Sequence, residues 1–173
     1  MMDLNNKILL RNGYIIADAS SIIYMDKINI FKLYASFKNI LIPEPVFKEL
    51  NSLNHKLDCR NFVEITDSVK FFKNEKDNHF TGLKYPDNTL IDNYYFQNTD
   101  GILTDDGMIC KYCKKNNIPY INTPMVLFSL KISNIIELDK FNKKLCEVYK
   151  VGRYSKFVIN YMNGIISRYI VNV

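Results

Sequence analysis

Four times along this chain a short, almost wholly apolar run stops at a polar residue or a proline and gives way to a helical pattern. Tyr14-Ile15-Ile16-Ala17 ends at Asp18, and Ser20-Ser21 then offers a cap for an apolar pattern that continues to about Phe37. Asn39-Ile40-Leu41-Ile42 stops at Pro43, and Pro45 falls near the first turn of the next helix. Gly101-Ile102-Leu103-Thr104 runs into Asp105-Asp106 and a helix from about Met108 to Asn116, and Pro119-Tyr120-Ile121 leads through Thr123-Pro124 to the apolar stretch Met125 to Leu130. A strand apolar at every position must be covered on both faces, and helices between such strands make that cover when the strands run parallel. The expected fold is therefore α/β, a three-layer α/β/α sandwich on a short parallel sheet, with further helices at the C-terminus.

The chain has 173 residues, enough for one ordinary domain with a helical appendage and too few for two full-sized domains. With 47% apolar residues it can close a core without disulfide or metal staples. Residues 1–136 are expected to form the main domain. Residues 137–173, with helical patterns near Leu138 to Val148 and Phe157 to Ile170 around Gly152-Arg153, form a C-terminal extension packed on it. Between Asp67 and Lys84 the apolar pattern lapses, as in a solvated loop. The longest apolar runs are too short to span a bilayer and no signal peptide is visible, so no membrane partner is expected. Cys59, Cys110, Cys113 and Cys146 have no framework spacing, which favours a reducing cytoplasm, and Cys110-Lys-Tyr-Cys113 lacks the second ligand pair a zinc site needs.

Only His55 and His79 are present, so mechanisms that need several imidazoles are excluded. There is no Gly-rich phosphate loop, no GxGxxG and no Ser nucleophile elbow. Carboxylates remain. In an open α/β sheet the site lies beyond the carboxyl ends of the strands. Asp18 follows the first strand, Asp105 and Asp106 follow the third, Glu49 lies about a turn into the helix after the second, and Asp87 opens the helical stretch that leads back to the third. Each alone has an ordinary explanation as a helix cap or a first-turn acid. Together, with no paired cation, they would repel one another unless protons or metal ions relieve the charge. All-oxygen ligand sets suit Mg²⁺ or Mn²⁺, and such ions serve phosphodiester hydrolysis without histidine.

In Ile15-Ile16-Ala17-Asp18-Ala19-Ser20-Ser21-Ile22, Ile42-Pro43-Glu44-Pro45-Val46-Phe47-Lys48-Glu49-Leu50, Pro86-Asp87-Asn88-Thr89-Leu90-Ile91 and Asp100-Gly101-Ile102-Leu103-Thr104-Asp105-Asp106, the chain resembles the PIN-domain family of metal-dependent nucleases. The resemblance runs from Tyr14 to about Leu130. It implies a catalytic metal centre of Asp18, Glu49, Asp87 and Asp106 holding one or two Mg²⁺ or Mn²⁺ ions. Asp105 is a second candidate ligand, the choice between it and Asp106 resting on the geometry of the turn. Ser20 and Thr104 match positions that orient a carboxylate or touch the scissile phosphate. Members commonly carry an Arg a few residues after the last acidic turn, whereas Lys111 is the nearest cation here, and the C-terminal region is longer than in compact toxin-type members.

The resemblance implies a ribonuclease acting on single-stranded RNA, with the toxin of a toxin–antitoxin pair masked by a small protein inhibitor as one form of it; the longer C-terminal region is a candidate cap, homo-oligomer interface or partner site. The balance of 23 Lys and Arg against 18 Asp and Glu permits such a polyanion. Candidate backbone contacts are Lys48, Lys84, Lys111, Lys114, Lys115, Arg153 and Lys156, and Tyr85, Tyr112 and Tyr154 are candidates for stacking on bases. The alternative is a catalytically silent PIN-like RNA-binding or scaffold protein. A phosphatase of the haloacid dehalogenase type also begins with Asp after a strand but needs a second Asp where Ser20 stands.

Overall fold

The computed structural model describes residues 13–52, 63–66, 83, 86–97 and 99–169. Cys59, Lys84 and Tyr85, and the expected loop beyond Thr66, fall outside them apart from Leu83. Five strands, β1 (Tyr14–Ala17), β2 (Asn39–Pro43), β3 (Glu64–Thr66), β4 (Gly101–Leu103) and β5 (Tyr120–Ile121), form one all-parallel sheet in the order β3-β2-β1-β4-β5. Four of them coincide with the apolar runs. The fifth, β3, is three residues long and pairs at the sheet edge through Leu41↔Glu64 to Pro43↔Thr66, without an uninterrupted apolar run to announce it.

Eight helices are described: α1 (Ala19–Lys27), α2 (Phe31–Phe37), α3 (Glu44–Ser52), α4 (Asp87–Phe96), α5 (Gly107–Lys115), α6 (Thr123–Ile132), α7 (Leu138–Val151) and α8 (Lys156–Tyr169). Successive strand residues Ile15 and Ile16 are both completely buried, as are Ile102 and Leu103, so helices cover both faces of the sheet and the three-layer α/β/α reading holds. The single helix expected from Ser20 to Phe37 is two: Asn29 takes a left-handed conformation, φ 55°, that ends α1 and turns the chain into α2. The core is continuous from the sheet to α7 and α8. Phe141, Leu145 and Val148 of α7 and Met162 and Ile165 of α8 belong to the same buried cluster as Ile15, Ile102 and Val126.

Strand order reverses at β1, with β2 and β3 on one side and β4 and β5 on the other. The crevice past the ends of β1 and β4 is therefore where a ligand site is expected. At the opposite end, Lys38, just ahead of β2, makes a 2.7 Å ion pair with Asp100, just ahead of β4, and its side chain is only 1% exposed. That pair pins the strand starts together, far from the crevice.

Candidate active site at the strand ends

Asp18 continues β1 by one rung: its N–H donates to the carbonyl of Leu103 at 2.9 Å, which sets it beside Thr104 at the end of β4. Although Asp18 occupies the N-cap position of α1, its side chain makes no capping hydrogen bond. The Oδ2 atom instead accepts from the Ser20 hydroxyl and, at 3.1 Å, from the Thr104 hydroxyl. Thr104 Oγ1 in turn accepts from the Asp106 backbone N–H at 3.1 Å, so one hydroxyl links the first acidic turn to the last. Ser20 and Thr104 thus hold the orientation of the Asp18 carboxylate, and among the described residues its Oδ1 accepts no hydrogen bond.

Electrostatics joins the remaining acids to this one. Burial pushes the Asp18 carboxyl up to about 6; the Ser20 and Thr104 hydrogen bonds pull the other way, and Asp87 and Asp105 add repulsion. Burial also lifts Asp87, with Asp106 contributing, and lifts Glu49, with Asp87 contributing. Asp87, first residue of α4, thus lies within electrostatic reach of Asp18, of Asp106 and of the exposed Glu49 on α3. Among the described residues none of these four carboxylates is ion-paired with a Lys or Arg. An uncompensated, oxygen-only set of this kind fits a hard divalent cation in its chemistry. The carboxylates stand around the crevice without closing on one point, since among the described residues no three His, Cys, Asp or Glu side chains are grouped to hold an ion.

Asp105 and Asp106 part company. Asp106 is the N-cap of α5, its Oδ1 accepting from the N–H groups of Met108 at 2.6 Å and Ile109 at 3.1 Å, and among the described residues its Oδ2 accepts no hydrogen bond. Asp105 is saturated. Its Oδ2 accepts from the hydroxyls of Ser21, at 2.7 Å, and Thr123, while Oδ1 accepts from the Thr123 N–H at 3.1 Å and the Tyr154 hydroxyl at 2.6 Å. Burial raises the Asp105 carboxyl and these donors counter it. The roles of Ser21, Thr123 and Tyr154 were not visible in the sequence, because their partner lies 84, 18 and 49 residues away. One signal could have found two of them: hydroxyl residues recur just past the strand ends, Ser20 and Ser21 after β1, Thr104 after β4 and Thr123 after β5.

Tyr154 is accordingly no platform for bases. Its hydroxyl is engaged by Asp105, and its ring packs edge-on between Tyr24 and Tyr149, with centroids 6.5 and 6.0 Å away. Of the candidate cations, Lys48 pairs with Glu44 one helical turn away at 2.8 Å, while Lys111, Lys114 and Lys115 on α5, Arg153 before α8 and Lys156 at its start are exposed. Tyr112 is half-buried. Burial pushes the thiols of Cys110 and Cys113 up to about 12, so the CxxC pair carries no ready thiolate.

Among the described residues no helix is long and apolar enough to cross a membrane. Compared with curated proteins and with solved structures, the chain gives no match. A family model described as a PIN domain matches residues 14–161, a span holding all the carboxylates above, α7 and the first part of α8. With most of its length inside that match, the chain belongs to the PIN-domain family, whose members are generally nucleases.

Proposed function

We propose that this protein is a Mg²⁺- or Mn²⁺-dependent nuclease that hydrolyses phosphodiester bonds of single-stranded RNA from within the strand. The observation that carries the reading is Asp18: a 6% exposed carboxylate at the sheet's switch point, without a cation partner among the described residues, aimed by two hydroxyls and pressed by Asp87 and Asp105. Asp18, Glu49, Asp87 and Asp106 would hold one or two ions, while Asp105, its oxygens already taken, braces the turn. A divalent ion bound there supplies an activated water and neutralises charge developing on the phosphate. Ser20 and Thr104 keep the Asp18 lone pairs in place, and Asp106 directs one oxygen at the start of α5 while its other accepts no hydrogen bond among the described residues. The exposed Lys111, Lys115 and Arg153 provide positive charge for a polyanion, screened by salt as phosphate contacts are. By the same family reasoning, a small protein inhibitor is the regulatory partner to test for.

The test is incubation of the full chain with labelled single-stranded RNA, single-stranded DNA and duplex, in Mn²⁺, in Mg²⁺ and in EDTA. Metal-dependent cleavage of single-stranded RNA is expected, and cleavage that persists in EDTA would overturn the mechanism. A second reading, a silent RNA-binding scaffold, is favoured by the carboxylates standing open. RNA binding without turnover of any substrate would establish it.

A further inference from the structure

The Asp105 network reaches into the C-terminal segment through one residue. Tyr154 lies between α7 and α8, and its hydroxyl meets Asp105 Oδ1 at 2.6 Å. Three features hold that hydroxyl where it is. The ring sits edge-on to Tyr24 and Tyr149. The Tyr154 N–H donates to the Gly152 carbonyl at 2.9 Å, folding the chain back tightly. A Cβ on Gly152 would lie 2.2 Å from the ring's Cε2, so the ring occupies the space a side chain there would need. Asp105, for its part, is flanked by Thr104, whose hydroxyl bonds Asp18, and by Asp106, whose N–H bonds that same hydroxyl. Asp105 shares a planar peptide unit with each neighbour, and the Asp106 N–H to Thr104 hydroxyl bond closes across it, so a shift of the Asp105 backbone strains that bond and moves both neighbours.

We infer that Tyr154 is a positioning residue for the carboxylate site: its hydroxyl on Asp105 locks the Thr104–Asp106 turn and thereby sets the orientation of Asp18 and Asp106. The α7–α8 connection is then part of the machinery of the site as well as of the core. This inference rests on the metal-dependent reading above. Outer groups that orient ligands typically change metal affinity or activity about 10- to 100-fold when removed.

Tyr154→Phe keeps the ring and removes only the donor. In the full chain it is expected to weaken Mn²⁺ binding, followed by the electron paramagnetic resonance of free Mn²⁺, by about 10-fold. It should lower kcat on single-stranded RNA by a similar factor and leave KM for the RNA unchanged. Tyr149→Phe is the matched control, since the Tyr149 hydroxyl is buried without a partner among the described residues, and it should leave Mn²⁺ affinity as in the wild type. Gly152→Ala, which displaces the ring, should reproduce the Tyr154→Phe loss, and the double variant should be no worse than the single ones. A Tyr154→Phe protein that melts earlier yet keeps Mn²⁺ affinity and kcat within twofold of wild type would overturn the inference and leave the nuclease reading standing. A wild type that takes up no Mn²⁺ would remove both.

Discussion

At the scale of single residues, the decisive contrast is between carboxylates that have found donors and those that have not. Asp105 is surrounded by hydroxyls and an N–H, whereas Asp18, the more buried of the two, has hydroxyls on one oxygen only among the described residues. Its raised pKa makes it a liability for the metal-free fold. The unfolded carboxyl titrates near 3.8 and the folded one near 6, so the folded state binds the proton more tightly. The cost of the charge is nil below the lower value, grows as pH rises between the two and is fully present above about 6. Two units correspond to about 3 kcal/mol. Asp18→Asn, which keeps an acceptor for Ser20 and Thr104, should therefore stabilise the protein in EDTA by about 1–3 kcal/mol at pH 8, with the gain vanishing toward pH 4 in urea unfolding. Equal stability of the two proteins at pH 8 would contradict that account. The place of Asp18 at the end of the first strand was legible in the sequence because an acid ending an apolar strand is a local event. The division of labour between Asp105 and Asp106 was not legible, since it depends on Thr123 and Tyr154 reaching one of them across the fold.

At the scale of elements, three helices end by the same device. Asn29, Asn117 and Asn134 adopt φ of 55°, 54° and 55° just past α1, α5 and α6. Each is followed by an isoleucine whose N–H reaches back to a carbonyl of the last turn: Ile30 to Met25, Ile118 to Cys113 and Ile135 to Leu130. In a chain with only 6 Gly, Asn takes the left-handed position that Gly usually fills. Asn117→Ala should cost about 1 kcal/mol and Asn117→Gly close to nothing, measured by urea unfolding. This repeated ending is also why the first two helices read as one: the apolar spacing runs straight across Asn29, and only its backbone breaks it. At the far end of the sheet, Lys38→Met strands Asp100 without its partner. It should lower stability by about 3–5 kcal/mol while the protein that remains folded keeps wild-type kcat, because the pair lies away from the crevice.

At the scale of the whole molecule, one core joins the C-terminal helices to the sheet. Phe141 on α7 is as completely buried as Ile15 on β1. Phe141→Ala should therefore cost about 3–5 kcal/mol of global stability, in a single transition reported alike by helix content and by tyrosine environment. A separate early transition would mean that the C-terminal segment folds apart from the rest. That single core is what gives the sheet order its consequence. Residues 18, 49, 87 and 106 lie far apart along the chain, and in a sheet whose strand order reverses at β1, Asp18, Glu49 and Asp106 each come within electrostatic reach of Asp87. The alternation of strand and helix made this arrangement readable in advance; the facing of each side chain and the short edge strand β3 were not, being set by tertiary packing. In the proposed reaction these four carboxylates act together through a divalent ion on a phosphodiester. Its most direct test is the single-turnover rate of single-stranded RNA cleavage in Mn²⁺ by the full chain and by Asp18→Asn, Glu49→Gln, Asp87→Asn and Asp106→Asn, the last keeping a good helix cap. Each variant is expected to lose at least about 100-fold, more than an outer positioning group costs, and EDTA is expected to stop the wild type. Wild-type cleavage by Asp18→Asn, or cleavage that continues in EDTA, would contradict that mechanism.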